Sequence, residues 1–192
     1  MPIKSNKVKF GLSNIHYALM SVGEDGTITY GTPKPIPGAV NLNLPPQGDT
    51  TQFYAENVAY YVSVANNGYQ GDLEVAIIPE SFAVDVLKER LDATDKVLVE
   101  DASVEPVPFA LLFEFKGDQH AIRHVLYNCT ASRPTVSGAT TTNTKEPTTA
   151  SLSLTAAPLA DGKVKAKTTA ETTEQTYNGW YGAVWLPKSE VI

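Results

Sequence analysis

Three histidines, one cysteine and a scatter of carboxylates are the side chains that could carry chemistry in this 192-residue chain. His120 and His124 stand four apart, and on a helix they would share a face and could bind a metal ion. The residues that follow, Val125-Leu-Tyr-Asn-Cys-Thr, read instead as a strand. A four-residue strand step spans about 13 Å, too far for two ligands that must each lie ~2 Å from one ion. Strand-end or surface roles are therefore expected for the histidines, His16 included, and no metal site. Cys129 has no glycine-rich turn or helix start beside it to stabilise a thiolate, so a buried, unreactive thiol is expected. As the single cysteine it cannot close an internal disulfide.

The acidic residues Glu100, Asp101 and Glu105, with Asp92 and Asp95, offer carboxylate pairs of the kind that hydrolyse glycosides. Their loop-like surroundings point to solvated loops and ion-pair rims. No calcium loop, phosphate-binding glycine loop or nucleophile elbow is present. No enzymatic activity, catalytic residue or cofactor is expected. Tyr177, Tyr181 and Trp185 fall four apart. On a strand they would form a stripe able to stack on sugar, but an anchoring terminal strand is the preferred reading. Lys163, Lys165 and Lys167 line one strand face. They could guard a sheet edge or meet acidic side chains of a neighbouring subunit, and both readings stand.

The elements that must position these groups are mostly strands. Apolar residues alternate at Ile15, Tyr17 and Leu19; Val40, Leu42 and Leu44; and Val58, Tyr60, Val62 and Val64. The same holds at Leu73, Val75 and Ile77; Phe109, Leu111, Phe113 and Phe115; Leu152 and Leu154; and Val164 and Ala166. This period of two is that of a half-buried strand. Hairpin turns are expected at Asp25-Gly26, Asn67-Gly68, Asp161-Gly162 and Gly117-Asp118, where positive φ is tolerated. The sheets should then be largely antiparallel. Between Pro79 and Leu91 the spacing of Phe82, Ala83, Val86, Leu87 and Leu91 changes to three and four, predicting one amphipathic helix over about 79–91. Two long loops are expected, from Pro45 to Asn57 and from Pro134 to Thr148. Loops of that length inside a domain are commonly functional.

Composition narrows the class. At 42% hydrophobic and 19% charged, the chain is not of the disordered type, and its length suits one domain over 1–192. A net charge of −6 argues against a protein that grips nucleic acid through phosphates. The N-terminus has no apolar leader core, and the longest apolar run, at Phe109-Ala-Leu-Leu-Phe, is far below a membrane span. A soluble protein, made in the cytoplasm, is expected.

A more specific signal comes from the order of several stretches. They are Lys7-Val-Lys-Phe-Gly-Leu-Ser-Asn-Ile-His-Tyr-Ala-Leu, Asp25-Gly-Thr-Ile-Thr-Tyr-Gly-Thr-Pro-Lys-Pro-Ile-Pro-Gly-Ala-Val and Phe53-Tyr-Ala-Glu-Asn. Then follow Asn66-Asn-Gly-Tyr-Gln-Gly-Asp-Leu-Glu-Val-Ala-Ile-Ile-Pro, Phe109-Ala-Leu-Leu-Phe-Glu-Phe, Arg123-His-Val-Leu-Tyr-Asn-Cys-Thr-Ala-Ser-Arg-Pro, and Lys145-Glu-Pro with the Leu152 strand. Together they resemble the major tail proteins of long-tailed bacteriophages with non-contractile tails, over nearly the whole chain. The resemblance implies a mainly β, antiparallel sandwich or barrel of the tail tube type with one flanking helix. It also implies rings, hexameric in the family, that stack into a hollow tube passing DNA into the host. In related tubes, inner strands of all subunits join into one barrel of roughly two dozen strands. A C-terminal immunoglobulin-like extension, found in some members, is not expected here.

The implied partners are further copies of the chain, the tape measure protein, the tail terminator and the distal tail proteins, with transient passage of DNA and no membrane insertion. The implied location is the virion tail. Inter-subunit contacts are expected in the two long loops, at Gln47, Asp49, Phe53, Tyr54, Thr141, Asn143 and Lys145. Deleting 137–146 is expected to leave a folded monomer that cannot polymerise. The rival readings are a β-sandwich carbohydrate or adhesin module using Tyr177, Tyr181 and Trp185, and a related tail-terminator or secretion-tube subunit.

Overall fold

The most apolar stretch of the sequence is the centre of the fold. In the computed structural model, which describes residues 5–138, 140 and 147–187, Phe109–Gly117 forms strand β11, buried on both faces over its first six residues. The strands before it are β1 (Lys9–Val22), β2 (Ile28–Tyr30), β3 (Lys34–Pro35), β4 (Ala39–Asn43), β5 (Pro46–Gln47), β6 (Thr50–Ala55), β7 (Val58–Val64), β8 (Gly68–Val75), β9 (Arg90–Leu91) and β10 (Leu98–Val99). After it come β12 (Ile122–Ala131), β13 (Ala150–Ala157) and β14 (Lys165–Lys167), and two short helices are α1 (Glu80–Asp85) and α2 (Glu174–Asn178).

The main sheet runs β2-β1-β11-β12-β13-β8-β4, with β3 added to β1, β5 to β8 and β14 to β12. Every strand pair is antiparallel, as expected. The segment 34–43 pairs with β1 at its start and with β8 at its end. The Ile36 amide donates to Ile15 O at 2.7 Å, and the Ala76 amide to Gly38 O at 2.7 Å. One connection thus touches both margins of the sheet and curls it into a barrel.

Alternation sends Phe109, Leu111 and Phe113 inward to join Ile15, Tyr17, Leu73, Leu152 and Leu154. A bulge opposite Phe109 and Leu111, which pair with Cys129 and Leu126, lets those two residues share the inner face although they are three apart. Helix α1 closes one end: Phe82 packs edge-on against Tyr17 at 5.1 Å and Phe109 at 5.5 Å. The alternate residues Ala110 and Leu112 are buried too, in a second cluster with Val125, Tyr127 and Trp180. That outer layer is supplied by the C-terminal segment.

Several expectations are corrected. The helix over 79–91 ends early, because Lys88 turns left-handed (φ 61°). Arg90 and Leu91 then pair with Val99 and Leu98. Asp25-Gly26 does turn β1 into β2 and Gly117-Asp118 turns β11 into β12. Asp161-Gly162 makes no hairpin: β13 and β14 lie end to end along the same edge of β12, and the turn is an excursion between them. A bulge between Ala39 and Asn41 turns Val40 outward, and β8 ends before Ile77, which is exposed. The aromatic stripe is not a terminal strand. Thr173 caps α2, its hydroxyl accepting from the Thr176 amide, with Tyr177 inside this helix and Tyr181 in the turn that follows it.

Candidate assembly interface

The expected 45–57 loop is not a loop, and the expected turn at Asn67-Gly68 is not a turn. After β4, β5 pairs Pro46 with Tyr69 and Gln47 with Gly68. Gln47 O accepts from the Asn67 amide at 2.9 Å and Asp49 O from the Ala65 amide at 3.0 Å. Pairing then continues from Thr50↔Val64 to Ala55↔Val58. The β4–β6 and β7–β8 stretches are therefore the two arms of one long ribbon. Its reversal is at Glu56-Asn57, both in the left-handed region (φ 52° and 63°), as a two-residue hairpin turn requires. Gly68 marks a kink instead. Its φ is 96°, and a Cβ there would lie 1.9 Å from Ala156 O, so only glycine fits where the ribbon leaves the barrel.

The half of the ribbon beyond Asp49 pairs only with itself among the described residues. Phe53 stands opposite Tyr61, Gln52 opposite Val62, and an extra residue between Tyr61 and Ala59 leaves Tyr60 bulged. The Tyr54 hydroxyl donates to Gln52 Oε1 at 2.6 Å. Phe53, Tyr54, Val58, Tyr60, Tyr61, Val62 and Val64 are all exposed, Tyr60 to 76%. Between residues 50 and 64 the single charged side chain is Glu56. A free two-stranded hairpin is marginal by itself. Proteins guard such edges with charge, which is nearly missing here.

Of the residues expected at contacts, Gln47 and Asp49 sit at the root of this arm and Phe53 and Tyr54 on it. Thr141, Asn143 and Lys145 lie outside the described residues. Val58, Tyr60, Val62 and Val64 read by alternation as a half-buried strand and, like Tyr61, were not singled out by the sequence, yet all five are exposed. The legible signal was Glu56-Asn57 between two strand-like runs with almost no charge.

At the barrel end where the arm departs, the inner face is open. A half-open cavity of about 260 Å³ is floored by Leu42, Leu44, Phe113 and Leu126. Lys9 lies over the Phe115 ring at 4.8 Å, and Lys165 over the Tyr69 ring at 4.4 Å. His124 stacks on Phe113 at 5.1 Å, rings parallel. Burial, then Lys167, Lys165 and Lys9, push its pKa down to about 4. The row Lys163, Lys165 and Lys167 is thus divided: Lys163 pairs with Asp161, Lys165 lines the cavity, and Lys167 follows two residues on along β14, an edge strand.

The remaining groups are structural in their geometry. Cys129 is buried, and burial pushes its thiol up to about 12. Asp92 Oδ1 accepts from the amides of Thr94 and Asp95, Asp101 Oδ1 from that of Ser103, and Glu100 pairs with Arg133 at 2.8 Å. No cluster of three or more His, Cys, Asp or Glu suited to a metal occurs among the described residues, nor is any helix there long and apolar enough to cross a membrane. The Tyr177 and Tyr181 rings are occupied by Arg123, whose guanidinium lies 3.8 and 5.1 Å from their centroids. Trp185 stacks on Trp180 at 6.2 Å. The three do not form a free platform for sugar.

No family model matches the sequence, and no curated protein matches it. Among solved structures the chain is similar to the tube-terminating cap of the anti-feeding prophage, determined by cryo-electron microscopy. That likeness has 11% identity, covers 86% of this chain and 96% of that one, and has a TM-score of 0.43.

Proposed function

We propose that this chain is a non-catalytic structural subunit of a phage tail, and specifically the major tube subunit of a long-tailed, non-contractile phage. Copies associate into rings, hexameric by family resemblance, and the rings stack into a hollow tube in the virion. Tape measure, terminator and distal tail proteins are the further partners, and DNA is the passing cargo. The observation that carries this reading is the hairpin 50–64, with seven large apolar side chains in the open and one charge. Exposed apolar surface of that extent marks an interface. A closed ring needs one heterologous contact and a tube a second one along the axis. A net charge of −6 agrees in sign with a lumen along which phosphate slides.

Electron microscopy of the concentrated, purified chain tests the reading, beside a variant in which 51–63 is replaced by a two-residue turn. Hollow tubes from the parent and folded monomers from the variant are expected. Isolated rings would favour a terminator subunit, and monomers of the parent at every concentration would overturn self-assembly.

A further inference from the structure

The arm and the open barrel end are complementary in chemistry. The arm presents aromatic rings and one carboxylate, Glu56, at its tip. The barrel end presents an apolar floor within reach of Lys9 and Lys165, with Lys167 two residues on along the same strand. The two cavity lysines already lie over aromatic rings, and none of the three is in an ion pair among the described residues. This local positive charge stands out on a chain with 21 acidic and 15 basic side chains. The floor is apolar, so a purely ionic occupant leaves it uncovered, whereas a ring beside a carboxylate matches both parts.

An arm cannot serve its own barrel. It leaves beside Tyr69, which lines the cavity and pairs with Pro46. The ten residues from Pro46 to Glu56 then carry the tip on the order of 30 Å away. A second copy meets no such limit. We propose that the open barrel end bordered by Lys9 and Lys165 receives the hairpin tip of a neighbouring copy, Glu56 facing the lysines and an aromatic side chain of the arm covering the floor. This rests on the self-assembly reading above and names its receiving surface. The contact is heterologous, arm into barrel, which is the kind that propagates around a ring.

Charge reversal tests it on the full chain. E56K and K9E/K165E should each raise the concentration threshold for assembly about tenfold, the effect of ~1.4 kcal/mol. Combining all three substitutions should return the threshold to within about threefold of the parent. Thermal melting of the monomers checks that each variant folds. As a second measurement, Glu56→Cys and Lys165→Cys in one chain should give a ladder of oxidised oligomers that neither single substitution gives, since the native Cys129 is buried. No rescue together with no ladder would overturn the receiving site. If K9E/K165E assembles normally while removal of 51–63 abolishes assembly, the receiving site alone is wrong. If removal of 51–63 changes nothing, the self-assembly reading itself fails.

Discussion

Glu114 is the side chain whose loss should cost this fold most for its size. It is 6% exposed and collects four donors. Oε1 accepts from Asn14 Nδ2 at 2.6 Å and Ser13 Oγ at 3.2 Å; Oε2 accepts from Arg123 Nε and the Tyr181 hydroxyl, both at 3.2 Å. Arg123 also donates to the Tyr177 carbonyl and lies against both tyrosine rings. The carboxylate therefore ties β1, β11 and β12 to the C-terminal segment. In Glu114→Ala the guanidinium loses its one ion-pair partner among the described residues, and breaking one side of a buried pair costs ~3–5 kcal/mol. That is a large part of the ~5–15 kcal/mol that holds a domain folded. Glu114→Gln keeps the shape and one acceptor, and should lose ~1.5–3 kcal/mol. Urea unfolding followed by far-UV circular dichroism and by tryptophan fluorescence is the assay. Trp180 and Trp185 report the C-terminal segment, where the Trp180 indole donates to His124 O at 3.4 Å. In the alanine variant the fluorescence transition should precede the dichroism transition, because the segment loses its anchor before the barrel opens. A loss below ~1 kcal/mol with coincident transitions would refute the idea that this buried pair secures the outer layer.

Two further outcomes follow from single side chains. Gly68→Ala must hold a Cβ 1.9 Å from Ala156 O at a φ of 96°, so it should cost more than ~2 kcal/mol in thermal or urea unfolding. An unchanged midpoint would mean that the kink at the ribbon root is not fixed by glycine. His124 is held neutral in the folded state by burial against Phe113 and Phe115 and by Lys167, Lys165 and Lys9, with its pKa lowered from 6.5 to about 4. The unfolded chain binds the proton first, so stability is full above pH 6.5 and declines as pH falls from there to about 4. With the ring partly solvated, the lost stability is on the order of 2 kcal/mol. Urea midpoints across this range should fall more steeply in the parent than in His124→Asn, and equal slopes would contradict the assignment.

What the residues alone decided is the strand content and its polarity. Period-two alternation at Phe109–Phe115 and Leu152–Leu154, with turn dipeptides at Asp25-Gly26 and Gly117-Asp118, specifies antiparallel strands because burial and turn geometry are local constraints. The short α1 was visible at Phe82, Ala83 and Val86 for the same reason, though not its end at Lys88. The segment from Gln47 to Tyr54, expected as part of a loop, is instead the root and one strand of the hairpin. Alternation reports which residues are apolar, not whether anything covers them. Val58, Tyr60, Val62 and Val64 have the alternating pattern of a half-buried strand, yet the described residues supply no second layer above them.

Tertiary structure alone decided three things. It made Glu56-Asn57 the reversal and Asn67-Gly68 a kink, because β13 occupies the other edge of β8 and the Ala156 carbonyl leaves no room for a side chain at Gly68. It laid β13 and β14 end to end on β12 rather than side by side, since that edge of β12 was long enough for both. It brought Lys9 and Lys165, far apart along the chain, to one open barrel end. Pairing partners, sheet closure and the meeting of distant side chains depend on which surfaces remain unoccupied after the local elements form, and that information belongs to no short stretch of the chain.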